Sequence, residues 1–304
     1  MKRPYSRLGP GFALWMGIAA TGCTPSNKVK PGQPELVSFG VVGPAGPVEL
    51  TGDTPVPPLA TFFAVFDRLL DASAIETIDD AGITPNAGVA IIETEGMSVD
   101  SSVLYVPNGD AKFTLIYPPG PSITITPVNG LPSASMVTVS LSPDHVRSHD
   151  QTQPFKAAED VPETLSFTTE PLMVTIEVPA PEPVDSGMEA DGGDADGGVD
   201  GGMAPTVTPA VDPDYVVNVA FNNQTADETE AAIAVTATVG ATPVANLGAT
   251  VARAMDSQSA WTVSPPATGW PAGATVTVTV GAAAADKFGK TLGTAATATL
   301  TVKP

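Results

Sequence analysis

The sequence predicts an all-β protein of two sandwich domains, and three observations predict it. Apolar content is carried mainly by Ala and Val with abundant Thr, while helix-favouring runs of Leu, Glu, Lys and Arg are missing. Short segments alternate apolar and polar residues with period two, as half-buried strands require. Pro and Gly, 32 and 29 of 304 residues, recur between those segments at short intervals. That punctuation suits many short strands in a sandwich better than parallel α/β units.

The chain begins with a basic leader, Lys2, Arg3 and Arg7, followed by a nine-residue apolar run at 12–20 and then Ala20-Thr21-Gly22-Cys23-Thr24. Nine residues fall well short of the roughly 20 that span a bilayer. The order of basic, apolar and small residues reads as a secretory signal over 1–22. Because the only cysteine follows directly, the segment resembles a bacterial lipoprotein signal. That resemblance implies a covalent lipid on Cys23, and Thr24 in place of Asp implies the outer membrane. Two or more acyl chains, at roughly 0.8 kcal/mol per buried methylene, hold a protein stably at a bilayer.

Removing the three leader cations leaves 10 Lys and Arg against 33 Asp and Glu, a formal charge of −23. Such a chain repels nucleic acid and anionic surfaces, and no basic cluster exists outside the leader. With Cys23 lipidated there is no thiol for a disulfide, a metal site or a nucleophile. The 282 mature residues are enough for two ordinary cores.

Residues 23–34 are polar and read as a tether. The first domain, 35–179, carries strand patterns at 36–42, 61–66, 89–93, 103–106, 113–117, 122–126, 136–141, 164–169 and 173–178, with a short helical turn within 67–77. Composition then breaks. The 35 residues from Ala180 to Asp214 hold nine acids and 12 Pro or Gly, with no Lys, Arg, Leu, Ile or aromatic. Too little apolar surface is available there to offset ordering entropy, so 180–213 reads as a disordered acidic linker. As a flexible coil it would span on the order of 30 Å. The second domain, 214–304, has strand patterns at 215–221, 232–238, 249–254, 259–264, 275–280 and 294–302. The clearest is Thr275-Val276-Thr277-Val278-Thr279-Val280, with three Val on one face and three Thr on the other.

The two blocks repeat each other. Gly130-Leu131-Pro132-Ser133-Ala134-Ser135-Met136-Val137-Thr138-Val139-Ser140 aligns without gaps against Gly269-Trp270-Pro271-Ala272-Gly273-Ala274-Thr275-Val276-Thr277-Val278-Thr279. Upstream, Ala64-Val65-Phe66 parallels Val219-Ala220-Phe221, each followed by a polar, acidic stretch. Downstream, Ala285-Asp286-Lys287-Phe288-Gly289 leads to a closing strand, as Leu165-Ser166-Phe167-Thr168-Thr169 closes the first block. One unit repeated at this scale means two copies of a domain. The order of these features resembles the bacterial Ig-like domain family, found in tandem on surface-layer, adhesin and secreted proteins. The resemblance implies two Ig-like β-sandwiches serving as a scaffold, with no catalytic residues to carry over. The first copy departs from the pattern: it is longer between Ile78 and Thr126, and Asp150 lacks the Gly three residues later, which leaves its strand count open.

Few residues carry chemistry. Asp144-His145-Val146-Arg147-Ser148-His149-Asp150 places His145 and His149 four apart, a zinc spacing only on one helical face. It follows a strand and lacks the Glu of H-E-x-x-H, so a solvated loop is the preferred reading. In the acidic segment, Asp194 and Asp196 match two positions of a calcium loop, but the closing Glu and flanking helices are missing. Trp261 and Trp270 could stack on a glycan or anchor a protein partner. The preferred reading is core packing, with Trp270 in the place of Leu131. Asp286 is expected to brace the turn before the last strand. No nucleophile elbow, phosphate loop or Cys/His pair points to an enzyme, and no cofactor is expected. The expectation is a non-catalytic spacer, adhesive or assembly module acting through sheet surfaces, or through edges by strand addition. Its partners would be the membrane through lipid and a protein or glycan. The rivals are a glycan-binding module using Trp261 or Trp270 and a periplasmic metal-binding factor using His145 and His149.

Overall fold

The computed structural model describes residues 32–48, 50, 54–79, 82–107, 120–179 and 210–304. Cys23, the expected strand at 113–117, and Asp194 and Asp196 lie outside the described residues.

The alternation seen in the sequence becomes sheet directly. β1 (Glu35–Gly43) folds back through β2 (Gly46–Val48) and pairs antiparallel with β3 (Thr61–Phe66). Next comes α1 (Ala72–Ile75), one turn capped by the Asp71 carboxylate accepting from Ser73 N at 3.1 Å. The hairpin of β4 (Glu76–Asp79) and β5 (Gly82–Pro85) follows. The chain continues through β6 (Ala90–Thr94), β7 (Met97–Ser98), β8 (Ser101–Val106), β9 (Ser122–Pro127), β10 (Met136–Leu141), β11 (Lys156–Ala157) and β12 (Thr164–Thr168). One sheet runs β11-β1-β3-β9-β8 and the other β12-β10-β6-β7. They share a core in which Phe62 and Phe167 stack at 5.6 Å, among Ile123, Ile125, Val137 and Val139. On β10 the inward residues are Val137, Val139 and Leu141, while Met136, Thr138 and Ser140 face outward.

The remaining strands build a second sandwich. They are β13 (Val174–Glu177), β14 (Ala210–Val211), β15 (Val217–Phe221), β16 (Ile233–Val239), β17 (Thr242–Pro243), β18 (Thr250–Arg253), β19 (Ala260–Ser264), β20 (Ala274–Val280) and β21 (Ala296–Val302). A 3₁₀ helix at Asp227–Ala232, with three acids in its first turn, precedes β16. The sheets are β13-β15-β19-β18 and β14-β21-β20-β16-β17, closed over Val217, Val219, Trp261, Trp270, Val276, Val278 and Leu300.

Both sandwiches have one topology. The order β1-β3-β9-β8 matches β13-β15-β19-β18, and β12-β10-β6-β7 matches β21-β20-β16-β17. These are the A-B-E-D and G-F-C-C′ sheets of Ig-like sandwiches. The likeness reaches small features. Val211 lies parallel beside Val302, and Val56 bridges Thr169 in parallel. Leu131 N donates to Pro58 O at 2.8 Å, and Trp270 N donates to Pro213 O at 2.7 Å. The gapless repeat between the blocks is therefore the same turn feeding the same strand.

One expectation is corrected. Residues 173–178 read from the sequence as the last strand of the first domain, with an interdomain linker after it. In the structure β13 pairs with β15 of the second sandwich, through Val174–Phe221, Thr175–Ala220, Ile176–Val219 and Glu177–Asn218. Leu172 is buried in the second core, against which Val174, Ile176 and Val178 pack. The acidic segment therefore interrupts the second sandwich, between its first strand and β14. A period-two pattern shows that a strand exists but is silent on which sheet receives it.

Candidate interaction site: the junction and the exposed faces

Where the two sandwiches meet, the turn before β10 inserts between two loops of the second sandwich. Thr169 holds that turn: its hydroxyl donates to Pro132 O at 2.6 Å and accepts from Ser135 N at 2.9 Å. The Ser135 hydroxyl donates to Ser133 O at 3.1 Å. So arranged, the turn presents Ser133 N and Leu131 O to the partner loops.

Asp286 receives it. This carboxylate is 0% exposed and uses both oxygens. Oδ1 accepts from Phe288 N and Lys290 N, each at 2.9 Å, bracing its own turn as expected. Oδ2 accepts from Ser133 N at 2.9 Å, across the junction, and from Asn223 Nδ2 at 3.3 Å. Asn223, also 0% exposed, donates to Leu131 O at 2.7 Å and the Ser133 hydroxyl at 3.1 Å. A buried carboxylate is tolerated when its lone pairs are filled, and four donors fill these. Gly130 fits the site geometrically. Its φ is +73°, and an added Cβ would lie 2.4 Å from Asn223 Oδ1.

A ring of contacts surrounds this centre. Gln224 Nε2 donates to Val128 O at 3.0 Å, and Lys290 Nζ meets the Glu95 carboxylate at 3.0 Å. Asn222 donates to Pro171 O at 2.9 Å and accepts from Met173 N at 2.8 Å. Phe288 packs against the first core. The sequence signalled the Asp286 turn but not its cross-junction oxygen, because Ser133 and Asn223 belong to no motif.

The residues singled out for chemistry do not converge. His145 is half-buried with Nδ1 3.3 Å from Ala74 O, while His149 is exposed. Among the described residues no three of His, Cys, Asp and Glu group as a metal site. The Asp150 carboxylate accepts from the hydroxyls of Ser148 and Thr152 and from Thr152 N. The Ser148 hydroxyl first, then Thr152, holds its carboxyl below the ordinary Asp value.

Trp261 and Trp270 are core residues, as the preferred reading has it, and the rival in which they stack on a glycan is overturned. Trp261 and Trp270 are each 2% exposed. Trp261 Nε1 donates to the Thr225 hydroxyl at 3.0 Å, with the Arg253 guanidinium 4.4 Å above the ring. Trp270 Nε1 donates to Tyr215 O at 2.7 Å. Among the described residues no indole face is left for a sugar.

Solvent meets instead the outer faces of the sheets. On the second sandwich Thr275, Thr277 and Thr279 stand opposite Thr301, Thr299 and Thr297, flanked by Thr236 and Thr238. This face is neutral and rich in hydroxyls. On the first sandwich the equivalent strands expose Ile91, and also Met97 and Met136, which line a shallow depression with Glu93 and Glu95. No described helix is long and apolar enough to cross a membrane.

No family model matches the chain, and no curated protein sequence does either. Among solved structures, the chain is similar to the N-terminal part of the bacterial S-layer protein SbsC, at 13% identity and a TM-score of 0.26, over 90% of this chain and 44% of that one. It is also similar to the ectodomain (Ig1–Ig3) of mouse nectin-like molecule 4, at 11% identity and a TM-score of 0.19, over 88% of this chain and 65% of that one. The chain thus spans less than half the length of the S-layer fragment and under two thirds of the ectodomain. The Ig-like assignment rests on the strand order of the two sandwiches.

Proposed function

We propose that this protein is a non-catalytic, lipid-anchored module of the outer membrane or cell surface. It acts as a spacer that presents two Ig-like sandwiches as one unit for adhesion or assembly. The observation that carries this reading is the junction, where Asp286 joins Ser133 and Asn223 in full burial. A flexible string of domains has no use for a buried, fully bonded carboxylate between its members. The neutral Thr face and the exposed Met97 and Met136 support a role through surfaces. The leader and Cys23 support the anchor, and the formal charge of −23 left without the leader supports a soluble, repelling body that stands off an anionic membrane.

Two measurements test the proposal. Detergent phase partitioning of the native protein and of Cys23→Ser tests the anchor: the native form should enter the detergent phase and the variant the aqueous phase. Equal partitioning of the two would remove the anchor from the account. Protease treatment of intact cells then assigns the side. Cleavage in intact cells supports surface display, and cleavage only after the outer membrane is opened supports a periplasmic module.

A further inference from the structure

The second sandwich is assembled from two stretches of chain, and the break between them lies beside the junction. Its first strand, β13, is tied to the first sandwich by the short connection 169–173. The rest, 210–304, returns only after residues 178–209. Among the described residues the contacts across the junction are therefore made between two bodies: 35–177 and 210–304. The contacts include β13 on β15, Leu172 in the second core, Asp286 on Ser133, Asn223 on Leu131, Gln224 on Val128 and Lys290 on Glu95. These bodies are joined covalently by the 32 residues 178–209 alone.

We propose that the partner of this junction is also a second copy of the same chain, through exchange of the second sandwich. In the exchanged form, β13 of one copy completes the sheet of the other copy's 210–304 body, and Ser133 of the first meets Asp286 of the second. Each such contact is identical to the one within a copy, so exchange creates no new surface and loses none. Only the tether separates the two forms. At about 3.3 Å per residue, 32 residues reach at most on the order of 100 Å, enough to span two bodies side by side. The same tether gives an effective concentration on the order of millimolar within a copy. Exchange therefore gains ground as the protein approaches that density. β13 is suited to leaving: it has four residues and lies at the edge of its sheet.

This proposal goes beyond the spacer reading and is independent of the lipid anchor. Its test uses full-length protein in two forms, one with an affinity tag before residue 35 and one with a fluorophore after Pro304. Both carry a site-specific protease sequence in place of residues 191–197. The mixture is held at about millimolar concentration, diluted, and its mass measured by light scattering before any cleavage. A dimer-mass species should appear, rising with the concentration of the incubation. After cleavage, the fluorescent 210–304 body should be recovered on the tagged 35–177 body. The Leu172→Asp variant, with its buried anchor lost, should release that body after cleavage. Monomer mass at every concentration, with no fluorescence on the tagged partner, would overturn the proposal.

Discussion

Ser133 N donates to Asp286 Oδ2 at 2.9 Å across 153 positions of sequence, with both residues buried. The same carboxylate closes its own turn through Oδ1, so the geometry of one loop and the docking of two sandwiches depend on one side chain.

Replacing that side chain should be costly. Asp286→Ala strands Ser133 N, Phe288 N and Lys290 N without their acceptor. Each buried donor left unpaired costs about 1–3 kcal/mol, and the loop can relax to recover part of it. The expected loss is about 3 kcal/mol in denaturant unfolding, with a larger radius of gyration in solution scattering. An unchanged radius would place the stiffness of the junction elsewhere.

Gly130 and Gly240 form a matched pair of probes. Both have positive φ, +73° and +59°, but Gly240 has open space where a Cβ would go. Gly240→Ala should lose about 1 kcal/mol, the conformational cost alone. Gly130→Ala should lose about 2–3 kcal/mol, because its methyl drives into Asn223 Oδ1 and overpacks the junction. Thermal unfolding of the two variants side by side separates strain from docking.

The legibility of this fold in its sequence was uneven for physical reasons. β10 stood out because inward and outward residues alternate over six positions, and β3 because it is an apolar run rich in aromatic residues. β2, β7, β11, β14 and β17 have two or three residues each, too few for a period to register. The 3₁₀ helix at Asp227–Ala232 was missed because its acidic first turn reads as loop. The place of β13 was hidden for a different reason. An acidic break looks like a domain boundary, and local pattern does not reveal that a sheet resumes beyond it. The Asp286 turn was visible, but its bond to Ser133 was not, since long-range partners leave no trace in one sequence.

Trp261 and Trp270 should behave as core residues. Their emission should be blue-shifted in the folded protein and insensitive to polysaccharide. Trp270→Ala should destabilise by about 3–5 kcal/mol, as large-to-small aromatic changes in a core do. A marked fluorescence response to a glycan would contradict the burial of both rings.

Acid should act on the loop around Asp150. The hydrogen bonds from Ser148 and Thr152 depress its carboxyl in the folded state. A depressed carboxyl stabilises above its unfolded value, about 3.9, and that contribution is lost as pH falls through the lower folded value. Carboxyl NMR should show Asp150 titrating below the ordinary Asp range, and Ser148→Ala should move it upward. No movement would mean that Thr152 alone holds the charge.

Residues 172–177 belong to the second sandwich, and both sandwiches dock as one unit. The most direct measurement cuts the full chain at a protease sequence placed in 191–197 and examines it, dilute and native, by size exclusion with light scattering. One species of full-chain mass is expected, separating into two fragments only in denaturant. Two separate species under native conditions would contradict it, and would return the acidic segment to the role of a linker between independent domains.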